Sequence, residues 1–160
     1  MAEALTFGAA RLEDQGKLAP FLESIFGPTL KAENDAAKKA AFPVSTVKEE
    51  LLSADDFYFS AVDLMDCCMV AKTEGGALVG VACVNPYVAE FQYVAVSEAW
   101  RRKGVGRRLV EMALGELRRR GVKHARADMA LRLADEGGRA FGVQMGFHEV
   151  RRVLTMGRKL

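Results

Sequence analysis

An apolar, β-type run meets a basic, glycine-punctuated turn and then an amphipathic helix in Tyr93-Val94-Ala95-Val96-Ser97-Glu98-Ala99-Trp100-Arg101-Arg102-Lys103-Gly104-Val105-Gly106-Arg107-Arg108-Leu109-Val110. A strand that turns directly into a helix presents the first backbone N–H groups of that helix without intrahelical partners. Those amides and the helix dipole together favour an anion, phosphate above all. Arg101, Arg102, Lys103, Arg107 and Arg108 add positive charge at the same place. Gly104 and Gly106 remove side chains where a ligand would touch backbone, and either can supply a positive φ. A plain strand-to-helix turn with exposed arginines fits the same residues. A Walker loop is excluded because no Gly-Lys-Ser/Thr follows, and the dinucleotide fingerprint lacks its third glycine and its downstream acidic residue.

The bulk properties narrow the function classes. At 160 residues, half of them hydrophobic and 28% charged, the chain is expected to fold as one domain over 1–160 with a sizeable core. A net charge of +2 is too small to predict a nucleic-acid partner, and the basic residues crowd into 101–108, 118–126 and 151–159. A local anionic ligand explains the first cluster better than DNA, which needs a broad basic face. Arg118-Arg119-Arg120 reads as a solvated complement to a helix C-terminus. No apolar run approaches the roughly 20 residues that span a bilayer. No signal or transit pattern opens the sequence, so a cytoplasmic protein without a membrane partner is expected. Cys67, Cys68 and Cys83 form no CxxC and read as buried, reduced thiols, with Cys67 and Cys68 on opposite faces of one strand. His124 and His148 lack metal-ligand spacing, and no metal is expected.

Periodicity orders the elements. Ala4 to Ala10 reads as a first strand, and Asp14 as the cap of a helix carrying Leu18, Phe21, Leu22, Ile25 and Phe26, which Gly27-Pro28 stops. Residues 29–42 have weak amphipathicity; a helix is predicted over about 46–53, and Phe57 to Ala61 is extended. Cys67 to Lys72 and Ala77 to Asn85 flank Thr73-Glu74-Gly75-Gly76 as a hairpin. Glu90 to Val96 is the next strand, and Val105 to Arg120 a helix with Val105, Leu109, Ala113 and Leu117 repeating at four, closed by Gly121. His124 to Leu131 alternates as a strand, and a short helix runs from about Asp135 to Gln144. Hairpin strands followed by strand–helix–strand–helix indicate an α/β fold on a mixed, mostly antiparallel sheet flanked by helices.

Arg101-x-x-Gly104-x-Gly106 after Val94-Ala95-Val96 resembles the acetyl-CoA signature of the GNAT acyltransferase superfamily. The resemblance covers most of the chain. Phe7 to Asp14 is similar to the family's opening strand and helix, Met69 to Val84 to its hairpin, and Gln144-Met145-Gly146-Phe147 to its late "Lys-Leu-Gly-Phe" turn. The resemblance implies an N-acetyltransferase that moves an acetyl group from acetyl-CoA directly to a primary amine. By it, Val94, Ala95, Val96, Arg101, Arg102, Lys103, Gly104, Val105, Gly106, Arg107 and Asp135 line the CoA site. The same resemblance implies that the amides of Arg102 to Arg107 would hold the pyrophosphate and that Val96 would pair its main chain with the pantetheine arm. It likewise implies that the N–H of Val94 would meet the thioester carbonyl, where negative charge grows during attack.

Glu90 matches the catalytic glutamate of the histone-acetylating branch, four residues before Val94, and period-two geometry puts Glu90, Gln92 and Val94 on one face. Its role would be that of a base, since an amine is mostly protonated at neutral pH; a solvated strand-end carboxylate is the plainer reading. Tyr87 and Tyr93 are lesser candidates as relays. The chain departs from the family at Gly142, where many members carry a tyrosine that protonates the departing sulfur, and at Asp135, where asparagine is common. Gly137, Gly138 and Gly142 weaken that helix by roughly 1 kcal/mol each relative to alanine. Only Phe147 to Leu160 remain for the family's last hairpin, so it is shortened. The acceptor site is then either more open or completed by a second copy in a homodimer. The competing reading is a non-catalytic acyl-CoA-binding module.

Overall fold

The computed structural model describes residues 3–39, 67–127 and 136–150. Five strands form one sheet in chain order: β1 (Thr6–Ala9), β2 (Cys68–Lys72), β3 (Leu78–Asn85), β4 (Glu90–Val96) and β5 (Arg126–Ala127). β1 to β4 run antiparallel to their neighbours, whereas β5 lies parallel to β4. The parallel joint requires a crossover, supplied by helix α2 (Val105–Arg119). Helix α1 (Gln15–Lys39) follows β1 and a 3-10 turn over Leu12–Asp14, and helix α3 (Glu136–Gln144) follows β5.

The expected hairpin forms, with Gly76 at φ +80 and its N–H donating to the Thr73 carbonyl at 2.9 Å. Alternation along β2 then divides the core. Cys68 and Val70 join Leu18, Phe21 and Leu22 of α1 on one side. Cys67, Met69 and Ala71 pack on the other with Leu109, Ala113 and Leu117 of α2. Cys67 and Cys68 therefore face opposite ways, and all three cysteines are buried and outside any disulfide. Gly80 lets α2 approach the sheet, since a Cβ there would lie 2.8 Å from Leu109 Cδ1. The α2 helix ends in a Schellman turn: Gly121 (φ +79) donates to the Arg118 carbonyl and Val122 to that of Leu117.

Two expectations fail at α1. The helix does not stop at Gly27-Pro28 but runs through both Pro20 and Pro28 to Lys39. Pro28 removes one backbone donor, a cost of about 3 kcal/mol in a helix interior. The stripe Leu18, Phe21, Leu22, Ile25 and Phe26 packs on the sheet, and this tertiary contact outweighs the local break. Asp14 is not a side-chain cap for α1. Its carboxylate is fully buried and accepts from the Arg11 N–H (2.8 Å) and from Lys72 Nζ (3.0 Å). Burial opposes its charge, but those two donors win and hold the carboxyl below its usual value.

The first strand is shorter than expected, and α2 ends one residue earlier. The expected helix over 46–53, the segment 57–61, residues 128–131 of the last expected strand, Asp135 and the end of the shortened hairpin lie outside the described residues. Phe147 to Val150 carry no regular structure. Among the described residues no helix is long and apolar enough to cross a membrane.

Candidate functional site

The site is built where β4 gives way to α2. Ser97 N–H donates to the Val79 carbonyl at 2.9 Å, extending the β3–β4 ladder by one pair. Hydrogen-bonded pairs alternate in an antiparallel ladder, so Ala95 with Val81 and Tyr93 with Cys83 are the bonded pairs that precede it. Val94 and Val96 consequently turn their N–H and C=O groups toward the β5 side. Pairing with β5 is described at Glu90 and Phe91, below these two residues.

Beyond β4 the chain makes a 3-10 turn over Glu98–Trp100 and enters the left-handed region at Arg102 (φ +62) and Gly104 (φ +81). Such a conformation costs a non-glycine residue about 1–2 kcal/mol. The first bond of α2 runs from the Arg108 N–H to the Gly104 carbonyl at 3.1 Å. The N–H groups of Arg102, Lys103, Gly104, Val105, Gly106 and Arg107 find no acceptor outside the helix among the described residues.

The basic side chains divide into two sets. Arg101 Nε donates to the Val96 carbonyl at 2.9 Å, Lys103 Nζ lies 5.1 Å from the centroid of Trp100, and the Arg108 guanidinium lies 4.0 Å from that of Phe7. Arg102 and Arg107 are exposed, and no partner is described for either. These two are the side chains free to meet an anion. The glycines also divide. Gly104 needs its positive φ and has open space where a Cβ would stand. Gly106 would direct a Cβ into the protein, 3.5 Å from both Phe141 Cζ and Val96 Cγ2. Val105 and Ala95 are buried and serve as core anchors, so only their main chain can face a ligand.

Glu90 does not share a face with Val94. The β3–β4 register shifts between Cys83 and Val84, leaving Gln92 as the extra residue of a bulge. Phe91, Val94 and Val96 all pack on the α2 side, whereas Tyr93 and Ala95 pack on the α1 side. Glu90, next to Phe91, falls on the α1 side. Its carboxylate Oε2 accepts from Nε of Arg126 at 3.1 Å and forms an ion pair with Nη2, also 3.1 Å away, with the Glu90 side chain 20% exposed and that of Arg126 61% exposed. Arg126 was missed by sequence reasoning because it lies 36 residues away, and only the parallel pairing of Glu90 with Arg126 brings the two together.

Helix α3 closes the described part of the site. Gly146 (φ +85) donates to the Val143 carbonyl and Phe147 to that of Gly142, a second Schellman turn. The turn seats Phe147 edge-on against Phe91, with ring centroids 5.9 Å apart. The glycine-phenylalanine signature thus has a packing role, and Gly142 contributes a carbonyl where a tyrosine would bring a hydroxyl. Tyr87 stands exposed at the β3–β4 turn, and Tyr93 lies 6.3 Å from Phe26, centroid to centroid. Among the described residues no group of three or more His, Cys, Asp or Glu could hold a metal.

The model of the acetyltransferase (GNAT) family matches residues 32–147. No curated protein sequence matches the chain. Among similar solved structures is the aminoglycoside N-acetyltransferase AAC(6')-Iy in complex with CoA, with a TM-score of 0.67 and 13% identity over 100% of this chain and 98% of that one. The ribosomal-protein-S18-alanine N-acetyltransferase from Escherichia coli has a TM-score of 0.62 and 19% identity over 92% of this chain and 80% of the other. A GNAT family acetyltransferase from Brucella melitensis in complex with acetyl-CoA has a TM-score of 0.62 and 17% identity over 99% and 92% of the two chains. At these identities the likeness is one of fold.

Proposed function

The chain belongs to the GNAT acetyltransferase family, and we propose that it is an N-acetyltransferase, one domain over 1–160, that moves an acetyl group from acetyl-CoA to a primary amine. One observation carries this reading. The β5-facing peptide groups of Val94 and Val96 lead into a run of unpartnered amides at Arg102 to Arg107. A strand edge for an amide-bearing arm, followed by open amides at a helix N-terminus for a pyrophosphate, is the donor pattern that CoA matches. The open space at Gly104 and the free guanidinium groups of Arg102 and Arg107 fit it too.

Bound acetyl-CoA supplies the activated acetyl group as a thioester. The Val94 N–H is the donor that opposes charge growing on the thioester oxygen, and Val96 aligns the arm. Ala95 and Val105 hold this backbone in place from the core, while Arg101 fixes the turn through the Val96 carbonyl. Lys103 contributes positive charge at the turn, and Asp135 remains a candidate for the CoA arm. Glu90 accepts the proton of the incoming amine, directly or through water, by the oxygen that Arg126 leaves uncovered.

A second reading is favoured by two observations, the Arg126 bridge on Glu90 and the absence of a hydroxyl at Gly142. It makes the protein a binder of acyl-CoA without turnover. Calorimetric titration with CoA, beside a thiol-release assay across a panel of amines, separates the two. Transfer is expected, with Glu90→Gln lowering kcat by about 10²–10⁴-fold while CoA affinity stays within about twofold. Tight CoA binding with no amine raising thiol release above background supports the binding module instead. Loss of CoA binding in the intact protein would remove both readings.

A further inference from the structure

Neighbours in register on parallel strands point to the same face, so Arg126 stands beside Glu90 on the α1 side of the sheet. The pair uses little of its hydrogen-bonding capacity. Arg126 turns its side-on edge to a single oxygen of Glu90: Nε donates to Oε2, and Nη2 lies 3.1 Å from the same oxygen as an ion pair. Its end-on edge, Nη1 and the second Nη2 hydrogen, meets no acceptor among the described residues, and the side chain is 61% exposed. Glu90 keeps Oε1 uncommitted. An exposed ion pair of this kind adds little to stability, so a fork held ready at the head of the β4–β5 joint calls for another explanation.

We propose that Glu90 and Arg126 together recognise an acceptor that is both amine and carboxylate, an amino-acid-like zwitterion. This rests on the transferase reading above, which brings the amine to Glu90. The ammonium is drawn to Oε1 of Glu90, and the carboxylate of the same molecule takes the end-on edge of Arg126 through two parallel N–H bonds. Tyr93, on the same face and tilted against Phe26 of α1, offers the acceptor's body an aromatic wall. A polycationic acceptor would bring like charge onto Arg126 and is disfavoured.

Three amines test this with the full-length protein and acetyl-CoA: phenylalanine, phenethylamine (the same molecule without its carboxylate) and spermidine. The expected order of kcat/KM is phenylalanine over phenethylamine by about tenfold or more, with spermidine last. Arg126→Gln is expected to bring the phenylalanine-to-phenethylamine ratio to near unity, and Arg126→Lys to restore part of it. A purely structural role would change both amines alike and leave that ratio where it was. The inference is overturned if the wild-type protein prefers phenethylamine or spermidine, or if Arg126→Gln leaves the ratio unchanged in a variant whose melting temperature is preserved. If none of the three is acetylated while another amine of the wider panel is, the inference is overturned; if no amine of that panel raises thiol release although CoA binds, it is the transferase reading itself that has failed.

Discussion

Gly104 and Gly106 look alike in sequence and differ in what they do. Gly104 sits at φ +81 with nothing within 4 Å of a notional Cβ, so its constraint comes from the backbone and from whatever approaches the turn. Gly104→Ala is expected to cost about 1–2 kcal/mol in urea unfolding and to weaken CoA binding about tenfold in calorimetry. Gly106 would point a Cβ inward at ordinary contact distance from Phe141 and Val96. Gly106→Ala is therefore expected to change stability by less than about 0.5 kcal/mol and to leave CoA affinity intact. A loss at Gly106 equal to that at Gly104 would show that the ligand touches both. The need for glycine was legible in the sequence, but the distinction was not, because it depends on Phe141, 35 residues further along the chain.

The α2 helix was the easiest element to read, since its four-residue repeat became the buried stripe Val105, Leu109, Ala113 and Leu117. Its C-terminal end carries a charge device that periodicity does not show. Glu116 accepts from Arg119 Nε (2.9 Å) and Nη2 (2.6 Å) and from Arg120 Nε (2.8 Å). The Arg119 bonds chiefly, with Arg120 assisting against burial, lower its carboxyl to about 2. A depressed carboxylate stabilises the fold above its ordinary value near 4.5, and that contribution disappears as pH falls to about 2. Glu116→Gln is expected to be less stable than wild type by about 1 kcal/mol at pH 7, discounted for the exposed Arg119. The two unfolding curves should converge between pH 4 and about 2. A gap that persists at pH 2 would mean that the Glu116 contribution is packing rather than charge. Strand β4 was legible in its limits but not in its faces, because the bulge at Gln92 arises from pairing with β3 and reverses the parity that alternation alone assigns to Glu90.

Long-range contacts decide how these pieces meet. Asp14 and Lys72 lie 58 residues apart, and their bond ties the entry to α1 to the end of β2. Lys72 is 18% exposed and Asp14 is fully buried, so Asp14→Ala leaves an ammonium poorly solvated and the Arg11 N–H without its partner. A loss of about 3 kcal/mol in urea unfolding is expected. A loss under about 1 kcal/mol would mean that water replaces the carboxylate freely. The amino-acid order alone was enough for the hairpin, the amphipathic α2 and the anion-accepting turn, because each rests on interactions among residues near one another in the chain. The passage of α1 through Pro28, the burial of Asp14 and the pairing of Glu90 with Arg126 were settled in three dimensions. Each sets a local preference of about 3 kcal/mol or less against packing between distant segments, and a sum over distant contacts cannot be read from neighbours in sequence.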